Sequence, residues 1–303
     1  MTFFRKSPLE GLTAWLCVLG MLLASCSSHP WETQSSVIMV EGWIESDGHP
    51  KVMLSEVIRL SETMRPVDDL VDNLIRWAKV SVVDGPDTVV LTGSYNSNYF
   101  PPYIYSTPRV VGRPGNAYTL IVEYSGHRLT STTTIPEPVP FDSLGYVPVE
   151  GIDSLYQLTA YYRDPLPVGD SYQFLAMVPN RETRFYACSY GLDMDVSKVP
   201  ARTDDAWNYM EHLMMPSWHR IPDMGEYQVA YRWGDTVDVK LARIDEESCA
   251  FWNSMGELLL MGKIPIATSS DNLESNIEGG KGFWTGMGVS RRRIILPPKP
   301  ESL

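Results

Sequence analysis

The chain has 303 residues, a formal net charge of -12, 44% hydrophobic residues and 20% charged residues. That is globular composition, neither disordered nor fibrous, and long enough for about two domains of 100–200 residues each. The 37 acidic residues against 25 basic ones argue against a nucleic-acid binder, which carries a basic stripe, and four cysteines exclude a disulfide-dense mini-scaffold.

Residues 1–25 read as an export signal. Arg5 and Lys6 form a positive start, and Leu12–Ala24 is an apolar run of 13 residues. A bilayer-spanning helix needs about 20. The run ends in Leu23-Ala24-Ser25-Cys26, which resembles the bacterial lipobox, where small residues precede a cysteine that is lipidated and becomes the new N-terminus. Cys26 is therefore the expected lipid attachment site. Two or three acyl chains, at about 0.8 kcal/mol per buried methylene, hold a membrane firmly. Residues 26–36 are the expected tether.

Dense proline and glycine then separate short runs rich in Val, Ile, Thr, Tyr and Trp, the strand signature. Val37–Glu45 is apolar on both sides and predicts a central strand covered on both faces. Further strands are expected at Val52–Ser55, Ala78–Asp84, Thr88–Ser94, Ala117–Tyr124 and His127–Ile135. The last two are joined by a tight turn in which Gly126 supplies the conformation. Pro136-Glu-Pro-Val-Pro140 lacks the backbone donors a sheet interior needs, so a boundary is placed there. Strands follow at Tyr156–Tyr162, Tyr172–Val178, Arg184–Tyr190, Tyr227–Trp233 and Thr236–Ile244. Asp245 as cap, Glu246 and Glu247 at the positive end of the dipole, and Gly262 beyond the last turn predict a helix over Glu246–Met261. A shorter helix is expected at Asp204–Met215. The expected class is mainly β: a β-sandwich domain over 37–140 and a β-rich, sandwich-like domain over 141–303 with one or two helices.

Chemical signatures are sparse. The five histidines form no H-E-x-x-H arrangement. Gly279-Gly280-Lys281-Gly282 fails as a phosphate loop, since Ser275 stands where the first glycine belongs and Gly282 where Ser or Thr should follow the lysine. Gly286-Met287-Gly288 lacks the third glycine of a dinucleotide fingerprint, and these glycines read as turn formers. Asp193, Asp195, Ser197 and Asp204 count like a calcium loop, but Lys198 occupies its glycine position. Acidic pairs such as Asp68-Asp69 read as solvated. Arg291-Arg292-Arg293 suits pairing with internal acids or contact with an anionic surface. No metal, cofactor or catalytic activity is inferred. Cys188 and Cys249, the two cysteines left in the folded part, are candidates for a disulfide in an oxidising compartment; it would close a loop of about 60 residues and stabilise by roughly 3–4 kcal/mol. Contacts with a partner are expected between Thr203 and Gly288, where Met210, Met214 and Met215 suit an adaptable surface.

Several short motifs in order resemble a family of Bacteroidetes outer-membrane lipoproteins, the domain of unknown function 4249. They are Val40-Glu41-Gly42-Trp43-Ile44, Val52-Met53-Leu54-Ser55, Ala78-Lys79-Val80-Ser81-Val82, Tyr118-Thr119-Leu120 and Ile135-Pro136, then Tyr162-Arg163-Asp164-Pro165, Gly234-Asp235-Thr236-Val237 and Ser275-Asn276-Ile277-Glu278-Gly279-Gly280 through Gly282-Phe283-Trp284. The resemblance implies an accessory lipoprotein of a TonB-dependent receptor at the outer membrane, and it implies no catalytic residues. A secreted hydrolase using a carboxylate pair and a structural or adhesion subunit are the alternatives. The membrane face and the oligomeric state are open. Asp142-Ser143-Leu144, Asp153-Ser154-Leu155, Asp87-Thr88-Val89 and Asp235-Thr236-Val237 resemble the O-glycosylation acceptor of exported Bacteroidetes proteins. Ser143 and Ser154 are the preferred candidates, on the expectation that they lie on loops.

Overall fold

The apolar run after residue 36 becomes the centre of the molecule. The computed structural model describes residues 37–56, 73–99, 102–149, 152–163, 170–183, 185–187, 207–213, 231–260 and 274–299. Residues 37–303 cluster as a single compact unit, and the fold is mainly β.

β1 (Ile38–Glu45) lies between β2 (Lys51–Glu56), which is antiparallel to it, and the chain's last strand, which is parallel to it. Burial on both faces of β1 follows, as the sequence predicts. β3 (Lys79–Asp84), β4 (Asp87–Val90), β7 (Ala117–Tyr124) and β8 (His127–Thr134) form a four-stranded sheet in the order β4-β3-β7-β8. The β7–β8 turn holds Ser125 at φ 48° and Gly126 at φ 81°, the pair of positive angles that a type I′ hairpin turn requires. The run Thr88–Ser94 is two strands rather than one. At the buried Leu91 the chain leaves β4 and enters β5 (Thr92–Tyr95), which pairs with β6 (Tyr103–Ser106) in the other sheet.

The second half adds β9 (Phe141–Val149), β10 (Ile152–Arg163), β11 (Ser171–Met177), β12 (Tyr186–Ala187), β13 (Trp207–Leu213), β14 (Tyr231–Arg232) and β15 (Thr236–Ile244). β13, β10 and β14 pair in that order, with β9 on β10. β13 replaces the helix expected at Asp204–Met215. Its Trp and Tyr suit an extended chain, and its register against β10 sets Tyr209 opposite Tyr161. The other expected helix forms as α1 (Glu246–Leu260). Asp245 caps it by accepting the Ser248 N–H at 2.7 Å.

The largest departure is β16 (Lys281–Ile295), a strand of 15 residues through the segment read as glycine turns and a basic triplet. Its first half runs parallel to β1, from Met39 opposite Lys281 to Glu45 opposite Met287. Its second half runs antiparallel to β15, from Arg243 opposite Gly288 to Thr236 opposite Ile295. One eight-stranded sheet results, in the order β12-β11-β15-β16-β1-β2-β6-β5. Both four-stranded sheets cover this large sheet. The first core sets Val40, Ile44 and Leu54 against Val82, Leu120 and Leu129. The second sets Phe174, Val239 and Leu241 against Phe141, Leu158 and Tyr162.

Between the cores the chain crosses the face of β16. Ile135 belongs to the first core and Val139 to the second. A Cβ on Gly286 would stand 2.7 Å from the Thr134 carbonyl oxygen, and one on Gly288 would overlap the Pro136 carbonyl. These glycines are mid-strand positions where another backbone passes too close for a side chain. On the opposite face of the sheet α1 covers Ala242, Ile244, Met287 and Val289, and its Phe251 stacks on Phe283 at 4.5 Å between ring centroids.

Candidate functional site

The motif residues near the end of the chain build structure. Asn276 replaces a strand neighbour for Trp284: its Oδ1 accepts the Trp284 N–H and its Nδ2 donates to the Trp284 carbonyl, both at 2.9 Å. The indole is fully buried and donates from Nε1 to the Tyr118 carbonyl at 2.9 Å. It lies over Gly42, where an added Cβ would come within 2.8 Å of the ring. Gly282, at φ 114°, admits the Val40 carbonyl where a side chain would stand. The Gly42, Asn276, Gly282 and Trp284 positions thus form one lock on the first core.

The basic triplet is half explained by acids. Glu45 is buried at the end of β1 and receives both Lys240, with Nζ at 2.8 Å from each carboxylate oxygen, and Arg291 at 2.7 Å. Burial alone would raise the Glu45 carboxyl, but Lys240, Lys51 and Arg291 hold it below its ordinary value. Burial lowers Lys240 against the pull of Glu45; its ammonium also sits 3.9 Å above the Phe185 ring. Arg293 grips Asp238 with two hydrogen bonds. This cluster pins β1, β15 and β16 together. Glu45 serves both Lys240 and Arg291, and Asp238 serves Arg293.

An accessible arrangement lies at the end of the first sandwich where β1 begins. An open depression of about 380 Å³ is lined there by Trp77, Lys79, Glu123, Tyr124, His127 and Arg128, among others. Trp77 is 90% exposed, the highest value among the exposed large apolar side chains of the described residues. Its flanking backbone is fixed. Tyr105 donates its hydroxyl to the Ile75 carbonyl at 2.9 Å and accepts the Ala78 N–H at 3.1 Å, and Tyr103 donates to the Arg76 carbonyl at 3.2 Å. Beside it Glu123 accepts from Lys79 at 2.6 Å and lies 3.6 Å from Arg128. The hydrogen bond and charge of Lys79 lower the Glu123 carboxyl below its ordinary value. Tyr124 donates to Glu56 at 3.4 Å, and Glu56 is the sheet partner of Ile38.

The residues singled out in the sequence scatter. Cys26, Cys188, the acidic run Asp193–Asp204, Asp68, Asp69, Met214 and Met215 lie outside the described residues. Cys249 is buried in the first turn of α1. Ser143 and Ser154 lie within β9 and β10, not on loops. Ser143 is exposed, whereas Ser154 is half-buried and less open than Thr88 on β4. No group of three or more His, Cys, Asp or Glu is placed to hold a metal among the described residues. No helix among them is long and apolar enough to cross a membrane. Trp77 was missed because a lone tryptophan in a β-rich sequence reads as core; the signal available was its flank of Arg76 and Lys79.

Comparison with known families finds a family model that matches most of the chain. The model described as "Domain of unknown function (DUF4249)" covers residues 29–293. No curated protein matches.

Proposed function

We propose, from the premise that the chain belongs to the DUF4249 family, that it is a lipid-anchored accessory or binding protein of a Bacteroidetes outer membrane. In this reading it works beside a TonB-dependent transporter and catalyses no reaction. The observation that carries the reading is one of position. The box Leu23-Ala24-Ser25-Cys26 ends three residues before the matched region begins at 29. A lipid on Cys26 would therefore sit directly ahead of the family domain, with the span Ser27–Ser36 before the first strand.

The transporter partnership rests on the resemblance of the motifs, and the anchoring on the box itself. The two are tested together. Intact-mass measurement of protein from native membranes should show a chain starting at Cys26 with acyl chains attached. Cys26→Ala should yield a soluble or unprocessed precursor. Affinity purification from the same membranes should bring down an outer-membrane transporter. A wild-type protein without lipid, together with a Cys26→Ala variant that still fractionates with membranes, overturns the anchoring. Recovery of the protein alone overturns the partnership.

A further inference from the structure

We infer that the Trp77 end of the first sandwich is a second, non-covalent membrane contact: the indole docks into the headgroup region of the bilayer that holds the lipid anchor. The inference rests on the anchoring reading above and adds an orientation to it. Three observations carry it. The first is where the chain enters. Cys26 to Ile38 is twelve residue steps, at most about 43 Å when extended, so the start of β1 stays within that distance of the lipid. The depression lies at this same end, linked to it by the Ile38–Glu56 pairing and the Tyr124–Glu56 hydrogen bond.

The second observation is the indole itself. Trp77 is 90% exposed, yet its backbone is held on both sides by Tyr103 and Tyr105. A fixed backbone presents the ring at a set place on the surface, so docking orders only the side-chain torsions of one residue. Tryptophan is the side chain most suited to a bilayer interface, with an apolar body and one N–H donor. The third is the rim. Lys79 and Arg128 flank the ring and share Glu123, which leaves them one net positive charge. Long basic side chains can lay their stems along the interface while keeping their heads among phosphates. So near-balanced a rim makes the contact depend on the ring rather than on anionic lipid.

The test uses the full lipidated protein reconstituted into vesicles of phosphatidylcholine brominated on its acyl chains, in a Trp31→Phe background so that the indole of the tether does not contribute. Bromine quenches only indoles at the bilayer. The expected result is a quenched fraction of emission that is mostly lost in Trp77→Ala and kept when salt is raised. Slowed amide exchange over residues 76–79 and 124–128 on vesicles, relative to the protein in detergent-free solution as Cys26→Ala, accompanies it. Unchanged quenching in Trp77→Ala overturns the inference, as does protection of these segments only in complex with a transporter. Mass measurement on the same sample separates the two claims. Lipid present without Trp77-dependent quenching overturns the docking and leaves the anchor standing; quenching without lipid does the reverse.

Discussion

The two cores share one sheet and are filled in different ways. In the first, mostly aliphatic side chains from β1, β2, β3 and β7, with the buried Tyr105 and Tyr118, surround a single indole, Trp284. That indole is fixed by hydrogen bonds to Asn276 and Tyr118. In the second, rings pack on rings. Tyr162 lies 4.8 Å from Tyr172 and 5.8 Å from Phe174, and Phe141 lies 6.4 Å from Phe174. One core is specified by a few directed polar contacts around a large group, the other by shape among several medium ones. Joining them is β16, whose Trp284 belongs to the first and whose Ile294 packs against the second. Two packing solutions on a common strand should not melt apart.

Removing a fully buried ring from each core gives the greatest effect. Trp284→Ala and Phe174→Ala should each cost about 3–5 kcal/mol, read by urea unfolding, with Trp284→Ala the worse because it also strands the Tyr118 carbonyl. Each should shift the whole transition. A shift confined to part of the signal would mean that the cores are independent. Next comes the crossover. Gly288→Ala drives a methyl into the Pro136 carbonyl and should cost about 2–3 kcal/mol. Gly234→Ala, where φ is 71° but the space is open, should cost only about 1 kcal/mol. Equal losses at the two glycines would remove the argument for a close backbone pass.

Glu45→Gln should cost about 2 kcal/mol at neutral pH, since it replaces hydrogen bonds to a buried charge with bonds to an amide. Its pH dependence has a definite sign. The folded carboxyl lies below the ordinary 4.5, so its contribution is complete above that value and is lost as pH falls through the lowered folded value. The gap between wild type and Glu45→Gln should therefore close under acid; a gap that stays constant would show that Glu45 is not ionised in the fold. The smallest effect is at α1. Asp245→Ala removes the cap bond to Ser248 and the bond from Thr133 and should cost about 1 kcal/mol, visible as faster amide exchange in the first helical turn.

What the sequence disclosed follows the same physics. β1, β3, β7 and β15 are legible because alternating or continuous apolar residues report burial directly. The β7–β8 turn and the Asp245 cap are legible because single residues set local geometry. β16 was hidden. Gly286 and Gly288 answer to the backbone of Thr134 and Pro136 and Gly282 to that of Val40, and its arginines answer to Glu45 and Asp238, so no local window contains the reason for them. β13 was hidden because an Asp before a mixed run mimics a helix start, while strand pairing with β10 decides otherwise. The Trp77 surface was hidden because sequence does not report exposure.

The account's central structural claim is that β16 makes residues 37–303 one cooperative unit. Differential scanning calorimetry of the mature protein tests it most directly. The account predicts one endotherm whose calorimetric and van't Hoff enthalpies agree, lowered as a whole by Trp284→Ala and by Phe174→Ala. Two endotherms, one moved only by Trp284→Ala and the other only by Phe174→Ala, would contradict it.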